Sequence, residues 1–241
     1  MNIVEPAVQL LAHTAIVPDA IEQRLEIQEG STDAETLTVY AGRSCYESWS
    51  RPNEKTREDK DYLRRTLFEQ GHFSILEHAS ATFYITGVSR ALTHELVRHR
   101  HLSYSQLSQR FVDESEANIV IPPAAKKSEA EVVLQREDYY DDMSGSIPEA
   151  LEWWGQEAVW KYEDLVSALT GEGLPRKQAR EAARAVLPNM TETRIVVTGN
   201  LRAWHEVIER RTAPDADAEF QQVAGMIRDE LKKLAPAIFK D

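Results

Sequence analysis

Between Arg90 and Arg110 an acidic chain turns basic. The window carries Arg90, Arg98, Arg100 and Arg110 against one acid, Glu95, within a protein of 28 Lys+Arg and 40 Asp+Glu. Three of the seven histidines, His94, His99 and His101, fall in the same stretch. Ser103, Tyr104, Ser105, Gln106, Ser108 and Gln109 add hydroxyl and amide groups. Such a set suits a phosphate: guanidinium forks bind its oxygens in pairs, while hydroxyls and backbone N–H groups take the remaining lone pairs. A solvated helix end, with arginines answering the helix dipole, accounts for the same composition. Spacing shifts the balance. On a helix His94, Arg98 and His101 share a face, and Glu95 lies one turn before Arg98 and His99. The run Ser103 to Gln106 is poor helix material and marks a loop.

The order Arg98-His99-Arg100, seven residues, Ser108, with Arg110 two further on, is specific. It resembles the Arg-His-Arg, seven residues, Ser signature of the flavin-dependent thymidylate synthases. The preceding Gly71-His72-Phe73-Ser74-Ile75-Leu76-Glu77-His78 resembles that family's segment before the signature. So do Ala183-Arg184-Ala185-Val186-Leu187-Pro188, Asn200-Leu201-Arg202 and Arg211 downstream. Resemblance thus runs in order from about His72 to Arg211, with a family-like helix after it.

The resemblance implies conversion of dUMP to dTMP in thymidylate biosynthesis. It brings FAD as cofactor, methylenetetrahydrofolate as one-carbon donor and NADPH as reductant. It also implies a homotetramer with sites at subunit interfaces. By resemblance Glu95, Leu96, Val97, Arg98, Gln106, Leu107, Ser108, Gln109 and Arg110 line the dUMP site, joined by Arg184 and Arg211. Ser108 and Arg110 suit the nucleotide phosphate. Ser74, Arg98, His99, Arg100, Gln106, Asn200, Leu201, Arg202 and Glu206 correspond to flavin contacts. Arg211 matches the catalytic arginine held against the pyrimidine. Its task can be argued: C5 of uracil becomes nucleophilic only if negative charge can build on N3 and the flanking oxygens, and a fixed guanidinium stabilises that charge. Two positions depart from the family. Glu206 stands where relatives carry an amide or imidazole, an acid that opposes flavin phosphates unless paired or turned away. Asp215 stands where many relatives carry a histidine.

The same residues admit other readings. Ser108 as a nucleophile needs an adjacent base, and none can be named. A metal site from His94, His99 and His101 lacks a third ligand at a usual spacing, so no metal is expected. Cys45 is the only cysteine. It lies far from the signature and reads as a packed thiol, because a flavin that supplies hydride removes the need for a thiolate. Trp153, Trp154 and Trp160 read as core and interface aromatics at helical spacing. No Gly-x-Gly-x-x-Gly follows a strand, so FAD would not sit on a Rossmann unit. The different-class alternative is a non-catalytic nucleotide- or anion-binding module using the same basic patch.

These residues need a scaffold. The 241 residues, 42% hydrophobic and 28% charged, suit a globular protein expected to form one domain, 1–241. A net charge of −12 argues against nucleic acid and anionic membranes as partners. A lone cysteine, no basic-then-apolar leader and no run of about 18 apolar residues predict a cytoplasmic protein without a membrane span. Val8 to Leu11, Thr36 to Tyr40 and Ile119 to Ile121 are β-prone, with Gln23 to Glu35 a loop between the first two. Ala79, Ala81, Phe83 and Ile85 alternate with polar residues, which predicts a half-buried strand ending at Gly87. Val88 to about Arg100 changes to helical period. Helices follow from Pro148 to Gly171, from Pro175 to Leu187, from Ala203 to Arg211 and from Ala218 to Leu234, with a strand at Thr193 to Thr198. Helices interspersed with non-consecutive strands predict an α+β fold, and the resemblance implies a mixed α/β domain, helix-rich with an antiparallel sheet.

Overall fold

The computed structural model describes residues 1–134 and 143–239. Its centre is an antiparallel sheet in the order β1 (Ala7–His13), β2 (Ser80–Ser89), β6 (Glu192–Asn200), β3 (Leu102–Gln106). β2 buries Ala81, Phe83 and Ile85 to 1% exposure or less and leaves the alternate residues half-buried, the two-residue period of a sheet covered on one face. Gly87 does not end this strand. The chain passes through an irregularity between Ile85 and Val88 and resumes pairing to Ser89. Gly87 sits at φ +64°, and a Cβ there would lie 1.9 Å from the Glu5 carbonyl oxygen, so only glycine fits.

The covering layer comes from both ends of the chain. It comprises α1 (Pro18–Glu22), α2 (Asp33–Ser44) and α3 (Asp59–Leu63), which continues into a π-helical turn Arg64–Glu69. A 3₁₀ turn Phe73–Glu77 then leads into β2. α4 (Arg90–Leu96) follows β2, α8 (Leu201–Arg211) follows β6, and α9 (Ala218–Leu234) closes the core. Trp204 of α8 is fully buried, stacks edge-on against Phe83 at 5.1 Å and donates its indole N–H to the Ala81 carbonyl at 3.0 Å. Phe220, Val223, Ile227 and Leu231 supply the apolar stripe of α9, all fully buried. Outside this core, α5 (Pro123–Lys126), the ribbon β4 (Glu131–Leu134) and β5 (Met143–Ser146), α6 (Ile147–Gly171) and α7 (Arg176–Ala183) pack together. The helix-rich α+β class and the antiparallel sheet are as expected. Among the described residues no helix is long and apolar enough to cross a membrane.

Several local expectations are corrected. Thr36 to Tyr40 is helical, inside α2, because Thr32 and Glu35 form a reciprocal capping box that starts a helix despite the β-branched residues. The helix expected over Val88 to Arg100 is only Arg90–Leu96, capped by the Ser89 side chain. His94 and His101 therefore share no helical face. Ser103 to Gln106 is strand, since β3 pairs with β6 from Leu102↔Gly199 to Gln106↔Ile195. Ile119 makes only isolated bridges to Ile3 and Thr191. Cys45 is exposed rather than packed; of the aromatics expected in core or interface, Trp154 and Trp160 are 45% and 48% exposed on α6 and so lie outside the core. The highly charged stretch from Ala124 to Asp142, which its composition marks as surface cover, lies partly outside the described residues.

One contact ties the last helix to the junction of β2 and α4. The buried Glu219 carboxylate accepts the Ser89 backbone N–H at 2.7 Å and the Ser89 hydroxyl at 2.6 Å. That same hydroxyl oxygen caps α4 by accepting the Leu92 N–H. Burial pushes the Glu219 carboxyl pKa up, while the Ser89 bonds pull it back. Glu219→Ala strands a buried N–H, so it should lower unfolding free energy by about 2 kcal/mol, read as a shift in urea midpoint. An unchanged midpoint would show that the link is not structural.

Candidate active site

Arg211 ends α8 and reaches across to α4. Its Nε donates to His99 Nε2 at 3.0 Å and its Nη1 to Glu95 Oε2 at 3.0 Å, while Nη2 reaches the Glu95 carbonyl at 3.4 Å. The guanidinium also lies over the Phe220 ring, 4.8 Å from its centroid. Four contacts on one planar group fix both its position and its tilt. His99 can accept the Arg211 proton only as neutral imidazole, with its own proton on Nδ1. Burial, then the adjacent Arg211 and Arg210 charges, push the His99 pKa below the ordinary histidine value. Tyr104 of β3 holds this corner from below. Its hydroxyl lies 2.8 Å from the Leu96 carbonyl and 2.6 Å from that of His99, and burial raises its pKa to about 12. Gln106 fixes the other side of α4 by donating to the hydroxyls of Thr93 and Thr193.

A second basic group lies where α4 starts. Arg90 is close enough to feel both Glu114 and Arg184, and burial lowers its pKa first of all. Its Nη1, the Gln109 side-chain nitrogen and Glu114 Oε1 are buried without hydrogen-bond partners. Burial drives the Glu114 carboxyl up to about 6. Ser108 opens a turn whose carbonyl accepts from Phe111 and Val112. Arg110 lies 3.5 Å from Glu181 of α7, and Arg180 pairs with Asp113 and donates to the Phe111 carbonyl. Buried donors left open beside several guanidinium groups are what a phosphate would satisfy.

Two adjoining clefts separate the ends of these elements. One, of about 250 Å³, is lined by Arg98, His99, Arg100 and Arg210; the other, of about 240 Å³, by Glu77, Asn200 and Arg202. His101, Ala203 and Glu206 line both. Glu206 faces Arg202 at 3.7 Å, and Arg202 also pairs with Glu77, so this acid is partnered. Asn200 spends its side-chain oxygen capping α8, on the Ala203 N–H at 2.8 Å.

With this geometry in view, the model of the thymidylate synthase complementing proteins matches residues 27–237. The flavin-dependent thymidylate synthase of Mycobacteroides abscessus is 48% identical over 245 residues, covering 100% of this chain and 91% of that protein. That of Mycobacterium tuberculosis H37Rv is 48% identical over 214 residues, covering 88% and 82%. The Mycobacterium avium enzyme is 49% identical over 215 residues, with the same coverage. The chain belongs to the flavin-dependent thymidylate synthase family.

Within this family frame, the structure brings Glu95, His99, Gln106 and Arg211 together around α4. It sets Arg98, Arg100, Asn200, Arg202 and Glu206 on the clefts, with Ser74 exposed on the same 3₁₀ turn as Glu77. Leu96 and Leu201 have fully buried side chains, Leu107 donates its N–H to the Arg194 carbonyl, and Val97 is exposed. Sequence reasoning passed over the structural roles of Arg90 as a partner of Glu114, of Tyr104 and of Phe220. Arg90 and Tyr104 are visible only as members of the basic, hydroxyl-rich window, and Phe220 only in the apolar stripe of the last helix, a signal that reads as core.

The His99 shift has a sign. Its folded pKa lies below the unfolded value, so its contribution to stability is full above the ordinary histidine range and is lost as pH falls through the depressed value. Urea midpoints between pH 8 and 5 should therefore fall less steeply for His99→Gln, which cannot titrate, than for the unaltered protein. Parallel slopes would remove the neutral-imidazole assignment.

Proposed function

We propose that this chain makes dTMP from dUMP, with FAD as cofactor, methylenetetrahydrofolate as one-carbon donor and NADPH as reductant. The observation that carries the reading is the fixed Arg211 guanidinium beside neutral His99. Placed against the pyrimidine, it stabilises charge building on N3 and the neighbouring oxygens without giving up a proton. Glu95 holds Arg211 in place through Nη1, and the Phe220 ring covers one face of the guanidinium. Arg184, Ser108, Gln109 and Arg110 would take the nucleotide phosphate, with Arg90 beside them. The open, buried Gln109 donor fits that task.

The donor set of the clefts fits a flavin dinucleotide. Arg98, Arg100, Arg210 and Arg202 face the space a pyrophosphate would occupy, and Glu206 is engaged by Arg202. Bound flavin supplies the hydride transfer that these side chains cannot perform. Each cleft is smaller than the roughly 300–1,000 Å³ of sites for drug-sized ligands, which supports completion by a second subunit. Exposed Trp154, Trp160 and Leu165 on α6 offer apolar surface for such a homotetramer, with residues 1–241 acting as one unit. The reading needs no thiolate, metal, nucleic acid or membrane, and it places the enzyme in the cytoplasm.

Purified protein should be yellow and should form dTMP only when dUMP, methylenetetrahydrofolate and NADPH are all supplied. A colourless protein that takes up no added FAD would contradict the reading. Arg211→Ala should reduce dTMP formation by about 10²-fold or more, whereas Cys45→Ala should stay within about twofold. Loss of activity in the cysteine variant would overturn the thiol-free mechanism.

A further inference from the structure

We propose that the cavity between the loop 46–56 and the helical segment 62–72 holds the polyanionic tail of a co-substrate. This rests on the function proposed above, in which the reactive end of that co-substrate meets the flavin cleft. The cavity measures about 400 Å³, and Arg43, Arg65 and His72 line it beside Ser48, Asn53 and Gln70. None of its described lining residues is an aspartate or glutamate. That is not the default for a chain with 40 acids and 28 Lys+Arg. A neighbouring cavity of about 490 Å³ is lined by Glu29, Glu35, Glu58, Asp59 and Asp61.

The cations of this cavity are also uncompensated. Arg51, nearby, is neutralised by Asp59 at 2.6 Å. Arg43 instead spends Nη1 and Nη2 on the Ser48 and Thr56 carbonyls at 3.3 and 2.6 Å. Its guanidinium lies 4.4 Å from the Tyr62 ring centroid, and its buried Nε has no partner. Burial, followed by the charge of Arg51, lowers the Arg43 pKa, so an arriving anion would relieve this guanidinium. Among the described residues, no carboxylate lies within ion-pair distance of Arg43, Arg65 or His72. The wall at 46–53 contains two non-glycine residues in the left-handed region, Glu47 at φ +48° and Arg51 at φ +51°. Strain of this kind gathers at ligand sites.

Position joins the cavity to the flavin cleft. His72 immediately precedes the 3₁₀ turn Phe73–Glu77, and Glu77 at its far end lines the cleft with Arg202. On this proposal the reactive end of an elongated ligand lies in one space and its anionic end in the other. Two co-substrates carry suitable tails. The one-carbon donor ends in glutamate carboxylates, and NADPH bears a 2′-phosphate.

The test uses full-length, FAD-loaded Arg65→Ala and Arg65→Lys. Steady-state KM is measured for methylenetetrahydrofolate as monoglutamate and triglutamate, and for NADPH and NADH. Losing one charge-assisted bond should raise the KM of the responsible co-substrate by about tenfold in Arg65→Ala, with kcat and the dUMP KM within about twofold. Arg65→Lys should recover most of the loss. A rise confined to folates and larger for the triglutamate identifies the carboxylate tail; a rise for NADPH but not NADH identifies the 2′-phosphate. Calorimetric titration with tetrahydrofolate triglutamate or NADP⁺ should rank the proteins the same way without turnover. Unchanged KM values, or a general fall in kcat, would overturn the proposal. If the unaltered protein makes no dTMP, the functional reading fails instead, and the titrations alone decide whether the cavity binds the anion.

Discussion

The pairing of β2 with β6 sets where every charged group of the site can lie. Ser80 faces Asn200 and Ser89 faces Glu192, so the two strands end at opposite edges of the sheet. Each strand runs directly into a helix, α4 after Ser89 and α8 after Asn200. The two helices must therefore return toward one another. At 1.5 Å per residue, seven residues of α4 and eleven of α8 advance about 10 Å and about 16 Å, close to the length of a nine-residue strand. Their carboxyl ends meet, and Arg211 bridges to Glu95 at the meeting point. Two helix C-termini bring partial negative charge together, and a guanidinium answers it while holding the Glu95 carbonyl as well. A register slip of one residue would turn the buried face of β2 outward and part the bridge.

This arrangement keeps cations in places that would otherwise reject them. Burying a guanidinium is costly unless its protons find acceptors. Arg211 finds a carboxylate, a carbonyl, an imidazole nitrogen and an aromatic face. Burial and two neighbouring arginines favour the neutral imidazole that can accept this bond. Arg90 is less complete: Glu114 lies near it, yet one of its nitrogens, the Gln109 amide nitrogen and Glu114 Oε1 stay open. A structural ion pair would close such groups against each other. An anionic ligand would supply acceptor oxygens to the two open nitrogens, whereas Glu114 Oε1 needs a donor.

Much of this was legible in the chain. The alternation from Ala79 to Ile85 and the apolar stripe of α9 each point to the element that the structure contains, and the Arg98–Ser108 spacing points to the family. The misreadings share a cause, which is that local residue preference was overruled by a partner distant in sequence. Thr36 to Tyr40 carries β-prone side chains, but Ala34 and Val39 are buried in the core and Glu35 accepts the Ala237 N–H from the far end of the chain. Ser103 to Gln106 is polar because β3 is an edge strand, so it pairs through its backbone and needs few apolar side chains. The run from Arg51 to Arg65 is charged and polar, yet it hides the Arg51–Asp59 pair at 8% and 2% exposure. No periodicity announces a contact of that sort.

The net charge of −12 and the anionic ligands are reconciled by the same separation of partners. Acids outnumber bases overall, but where a base lies near the clefts its acid is mostly placed to orient rather than to cancel. Glu95 holds Arg211 at 3.0 Å, and it also lies 3.5 Å from Arg98, half on the surface. Glu77 and Glu206 share Arg202 at the rim. Arg100 and Arg210 then supply positive charge without a carboxylate within ion-pair distance among the described residues. At long range the protein repels polyanions, because that field sums all charges. Within a few ångströms of the cleft lined by Arg98, Arg100 and Arg210 the nearest charges dominate, and those three guanidinium groups outnumber the one carboxylate among its described lining residues, Glu206. A small anion that has arrived thus meets a positive local field, while an extended nucleic acid must still cross the acidic exterior.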